Sequence, residues 1–106
     1  MELQRFRQWS TLVRFWEDTA KTIPLDVSAR VFTAEMKVGA MTISIHIITV
    51  DAALGEITLY LTDEETGTLP WNASTGKWDL CEDVLGVLTT AIPTQTIKIT
   101  TPVTVP

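Results

Sequence analysis

Few residues in this chain carry reactive groups. There is one histidine, His46, one cysteine, Cys81, an acidic run at Asp63-Glu64-Glu65, and four tryptophans at 9, 16, 71 and 78. A catalytic histidine needs one group to orient it and another to exchange its proton. His46 has no second histidine or cysteine close in sequence, so it reads as a surface residue. The acidic run lacks the D-x-[DN]-x-[DN]-G spacing of a calcium loop. It suits the first turn of a helix, where negative charge is favoured. Cys81 lies between Leu80 and Glu82 and reads as a spectator thiol. No nucleophile elbow, phosphate loop or dinucleotide fingerprint occurs. The glycines are single and spaced, which suits turns. Asn72-Ala73-Ser74 has the glycosylation spacing, read as a chance match because no secretory signal precedes it. These residues predict no catalytic site, no metal and no cofactor, and hence no enzyme.

The chemistry that remains is that of contact. Tryptophan is enriched where protein interfaces concentrate their binding energy. Trp78 falls in a strand-like run and is expected in the core. Trp16 ends an alternating run and suits either role. Trp71 follows Pro70 at a loop, so Trp71 and Asn72 are the first contact candidates, with Trp9 next. The terminal segments Met1–Arg7 and Thr101–Pro106 complete the set, through Arg5, Arg7, Val103 and Val105.

The elements that position these residues follow from composition. Thr, Val and Ile make up 36 of 106 residues. Their branched side chains are stiff at χ1 and pack well on a pleated surface. An all-helical bundle is therefore excluded. The length fits one domain over 1–106 with one core. A net charge of −5 with pI near 4.6 argues against nucleic acid, which needs clustered Lys and Arg. No apolar run approaches the ~20 residues that span a membrane. A lone cysteine makes no intrachain disulfide, and synthesis in a cytoplasm is expected.

Period-two alternation marks the strands. Thr11–Glu17 alternates, as does Ala29–Lys37 with Phe32, Ala34 and Met36 on one face. Thr42–Val50 aligns Ile43, Ile45 and Ile47, and Glu56–Thr62 aligns Ile57, Leu59 and Leu61. Lys77–Glu82, Gly86–Thr90 and Thr94–Thr100 bring the total to about seven. The prolines in 101–106 predict an edge strand or an extended arm. Thr62-Asp63-Glu64-Glu65 has capping-box spacing, and Gly67 and Pro70 stop it, so a short helical crossover is expected near 62–68. The fold class predicted is all-β, an immunoglobulin-like Greek-key sandwich.

Longer motifs carry a resemblance. Ile23-Pro24-Leu25-Asp26-Val27-Ser28-Ala29 leads into Val31-Phe32-Thr33-Ala34-Glu35-Met36-Lys37. Asp51-Ala52-Ala53-Leu54-Gly55-Glu56-Ile57-Thr58-Leu59-Tyr60-Leu61-Thr62 precedes Glu64-Glu65-Thr66 and Leu69-Pro70, and Trp78-Asp79-Leu80 follows. These motifs, over about Leu12 to Leu80, resemble small immunoglobulin-like β-sandwich proteins of tailed bacteriophages. They are similar to the N-terminal domain of the baseplate upper protein family. Two departures stand out: Ser28 runs into Ala29 without the usual glycine, and the loop WNASTGK before Trp78 is longer. The resemblance implies a phage virion structural protein, made in the bacterial host cytoplasm. It would be an adaptor in the tail, baseplate or fibre-attachment region, binding other virion proteins in multiple symmetric copies. A capsid decoration protein is the alternative within that class. A carbohydrate-binding module is the alternative outside it, and would set Trp71 beside another exposed tryptophan.

Overall fold

The computed structural model describes residues 1–84 and 86–102. The fold is all-β. The strands are β1 Glu2–Gln4, β2 Trp9–Arg14, β3 Val31–Val38, β4 Met41–Asp51, β5 Glu56–Leu61, β6 Thr75–Val84 and β7 Val87–Thr100. They form one seven-stranded sheet in the order β1-β7-β6-β3-β4-β5-β2. Every pairing is antiparallel except β1 with β7, which is parallel through Glu2↔Lys98, Leu3↔Ile99 and Gln4↔Thr100.

The alternation of the sequence becomes two faces. Ile57, Leu59 and Leu61 point inward and are fully buried, as are Met36, Val38 and Leu80. Their neighbours Thr33, Glu35, Lys37, Thr42 and Ser44 face solvent. β4 changes partner along its length. Met41–Ile45 pairs with β3, whereas His46–Thr49 and Asp51 pair with β5 around a bulge at Val50. A bulge bends its strand and adds twist. The sheet thereby folds over its own core, and Trp9 of β2 meets Trp78 of β6 edge-on at 5.9 Å.

The connections follow local chemistry. Val38 and Met41 close a hairpin around Gly39, which takes φ +61°, a conformation open mainly to glycine. The helix α1 spans Asp63–Gly67 with both halves of its capping box formed. The Glu65 amide donates to Thr62 Oγ1 at 3.2 Å, and the Thr62 amide donates to Glu65 Oε1 at 2.9 Å. Leu69 follows and is buried in the core. Between β2 and β3 the chain is held by Asp18, which accepts from the amides of Thr22 and Ile23. The Leu25 amide donates to Phe15 O and the Val27 amide to Ala52 O.

Three expectations are corrected. Residues 86–100 are not two strands but one long strand, β7, with register shifts opposite Trp78–Cys81. Pro93 sits within it, tolerated because among the described residues that part of β7 has a neighbour only on the β6 side. A strand at Glu2–Gln4 was not expected; three residues are too few to display a period. Finally, β2 begins at Trp9 and ends at Arg14, earlier than Thr11–Glu17. Val103 and Val105, and most of the arm expected at 101–106, lie outside the described residues.

Gly55 is a point of close approach. It has φ +67°, and a Cβ there would sit 2.5 Å from Leu25 O and 2.8 Å from Phe15 O. Gly39 has a similar φ but open space around it. Gly55→Ala is therefore expected to cost about 2–4 kcal/mol, strain plus crowding, and Gly39→Ala about 1–2 kcal/mol, strain alone. Urea unfolding of the two variants measures this. Equal losses would show that crowding does not select glycine at 55.

Candidate interaction surface

Four of the sequence candidates meet at one corner of the sheet. Arg5 follows β1, and its amide donates to Thr100 O at 2.8 Å, extending the β1–β7 pairing. This points the side chain under the 70–73 loop. Its Nη2 donates to Pro70 O at 2.5 Å and to Ala73 O at 2.6 Å, and Nη1 donates to Thr101 Oγ1 at 2.9 Å. The Arg5 residue is only 3% exposed. Among the described residues no carboxylate pairs with it, and its Nε–H is buried without a partner. A guanidinium spends its five donors in a rigid fork, and here that fork joins three separate stretches of chain.

Above this bracket lies Trp71, 67% exposed. The Arg5 guanidinium carbon is 5.7 Å from the Trp71 ring centroid, within cation–π range. Phe6 meets the same ring from another side at 6.0 Å, tilted by 47°. Phe6 has φ +62°, and the turn it makes lets its ring lie against Gly67, where a Cβ would be 2.8 Å away. Asn72 and Arg7 lie exposed in the same two segments, and Arg7 Nη1 donates to Phe6 O at 3.0 Å. Met1, the first residue before β1, is also exposed. The corner is thus an exposed indole on a fixed mount, with polar and cationic neighbours.

Trp9 does not belong to this surface. It is 5% exposed and packs on Trp78, because β2 begins there and its first inward position faces the core. This corrects its reading as a contact residue. Arg5 is likewise a support beneath the surface rather than part of it. Buried arginine was not legible in the sequence, since the partners that bury it are 65 to 96 residues away.

Two further features bear on chemistry. His46 Nε2 lies 2.8 Å and 2.9 Å from the Glu65 carboxylate oxygens, and its ring stacks on Tyr60 at 4.9 Å. His46 therefore has a structural partner, the residue that also caps α1. Burial pushes the Glu65 carboxyl up, but hydrogen bonds from Thr62 and His46 and the His46 charge outweigh it and hold the group below its ordinary value. Second, the outer face of β3, β6 and β7 forms an open groove of about 700 Å³. Glu35 and Asp79 line it with Lys37 and Lys77, and Leu88 and Thr94 close one side. Its charges are mixed and shallow, which gives no single ligand an advantage. Among the described residues no group of three or more His, Cys, Asp or Glu side chains converges on a metal-sized site.

No protein-family model matches the chain, and no curated protein matches its sequence.

Two outcomes are expected from this geometry. Arg5→Ala strips hydrogen bonds from two partly buried carbonyls and should destabilise the fold by about 3–5 kcal/mol. Arg5→Lys should recover little of it, because an ammonium cannot span the same three acceptors. Guanidinium unfolding of both variants checks the bracket. For Glu65, a lowered folded-state pKa adds stability above the ordinary value of 4.5 and loses it as pH falls through the folded pKa. The melting temperature of the native chain should exceed that of Glu65→Gln above the ordinary value of 4.5, and the gap should shrink as the folded carboxyl is protonated at lower pH. A gap constant with pH would refute this contribution.

Proposed function

We propose that this chain is a structural protein of a tailed-phage virion. It acts as an assembly adaptor in the tail, baseplate or fibre-attachment region, and its work is protein–protein binding without catalysis. The observation that carries the reading is Trp71. A large aromatic side chain is left in water, yet Phe6 and the Arg5 guanidinium hold it in place. Ordering a side chain on binding costs about 0.5–1.5 kcal/mol, and here most of that ordering precedes the encounter. Rigid exposed aromatics are the residues on which interfaces centre their energy.

The motifs behind the phage resemblance support the same reading. The Asp51–Gly55 turn leads into β5, α1 follows with its capping box formed, and Leu69 is buried in the core. The order β6-β3-β4-β5 corresponds to the 4-1-2-3 arrangement of a Greek key, and the change of partner along β4 divides the sheet into two facing parts. These features favour an immunoglobulin-like sandwich as the finer fold class. A sugar-binding platform is not favoured: the ring beside Trp71 is the tilted Phe6, while Trp9 and Trp78 are in the core.

The test is particle composition. The protein should be found by mass spectrometry in purified virions from the strain that carries its gene, in the tail fraction after heads and tails are separated. Trp71→Ala should fold normally, within about 1 kcal/mol of the native chain, yet occupy particles about thirtyfold less at limiting concentration, as loss of a hot-spot residue implies. Absence of the native protein from particles would overturn the proposal. Recovery with heads alone would move it to capsid decoration.

A further inference from the structure

A second surface is independent of the Trp71 corner. β7 is fourteen residues long, and β1 covers only Lys98–Thr100 of its outer side. From Val87 to Ile97 it therefore has, among the described residues, a neighbour only in β6. In an antiparallel strand every second residue turns its N–H and C=O away from the existing partner. An open edge of this kind accepts another strand unless something blocks it. Between Leu80 and Trp78 the register shifts, and Pro93 lies opposite, so the middle of β7 is blocked. The first part is not. Val87, Leu88, Thr89 and Thr90 pair in unbroken register with Val84, Asp83, Glu82 and Cys81. Val87 and Leu88 are 65% and 63% exposed. Leu88 and Val31 both pair with Asp83, one from each side, and Val31 is exposed as well.

The charge pattern selects the occupant. Val84 to Ile97 contains no charged residue, a run of fourteen, in a chain of net charge −5. The other outer strands are guarded differently: β1 is three residues long and carries Glu2, and β2 ends in Arg14. A strand that binds a foreign partner can hold charges that the partner complements. A strand that binds its own copy across a two-fold axis sets the residues nearest the axis against themselves or their close neighbours, so a charge of one sign there meets a like charge. An uncharged edge avoids that repulsion. We infer that Val87–Thr90 of β7 is a self-association edge, pairing antiparallel with the same segment of a second copy. The two sheets become one across the axis, and the two Leu88 side chains are brought together. The pairing closes on itself, so the product is a dimer and not a fibre.

Four residues a side make a small interface, so the dimer is weak and concentration-dependent. Sedimentation equilibrium of the full chain should show 11.8 kDa at about 10 µM and approach twice that mass by about 500 µM. Those amides of 88–90 that point away from β6 should exchange at least tenfold more slowly at the upper concentration. Leu88→Lys and, separately, Thr90→Lys place like charges at the axis and should stay monomeric, with native circular dichroism. Trp71→Ala should dimerise like the native chain, so loss of the corner's role and loss of this edge are read apart. A native chain that is monomeric throughout the range overturns the inference. So does a dimer that survives both lysine variants. If one lysine variant fails to fold, the other and the exchange rates of the native chain decide.

Discussion

The constraint on which the structure depends is a short connection. β1 and β2 occupy the two outer places in the strand order, yet only Arg5–Gln8 separates them. Four linking residues span at most about 17 Å. A flat seven-stranded sheet would be wider than that, at roughly 4.8 Å per strand interval, so the sheet must curl until its edges approach. That curl encloses the core, brings Trp9 against Trp78, and closes the seam over Arg5. The buried guanidinium is a result of that closure. It also fastens that end of the sheet, since its acceptors come from the 70–73 loop before β6 and from Thr101 after β7.

The form is elongated. The chain measures 42 × 26 × 22 Å with a radius of gyration of 15.0 Å, against about 13 Å for a compact domain of this size. The excess comes from the long β6–β7 pair, the most extensive in the fold. Its outer face carries the open groove, and its tip carries the exposed Val87 and Leu88. The Trp71 corner adjoins the other end of the pair, where β7 meets β1. The two surfaces thus lie at opposite ends of the longest strands, one aromatic and polar, the other aliphatic and uncharged.

Much of this was legible in the residues. Strands with one buried face, such as Glu56–Leu61, betray themselves because alternation is imposed by burial on one side. The capping box at Thr62–Glu65 was readable because it is a local exchange of hydrogen bonds. Trp71 was readable as exposed because it follows proline in a loop. What escaped were consequences of distant pairing. β1 is defined by its match to Lys98–Thr100, and Arg5 is buried by residues near 70 and 100. Trp9 looked available because its burial depends on β6, nearly seventy residues on. The run at 86–100 looked like two strands because Pro93 punctuates it, and proline marks an edge as readily as an end.

The parallel pairing of β1 with β7 has a consequence for how the protein is made. Loop closure between residues near 2 and near 98 is entropically expensive, and such contacts are repaid only after the loop is formed. On a ribosome, Leu3 leaves the exit tunnel long before Ile99 exists. β1 is thus without its partner until translation has passed residue 100, while β3, β4 and β5 can already pair through short hairpins. The seam and its arginine bracket are completed only once residues 98–101 have followed. The interval between the two is when the interior is open to the cell.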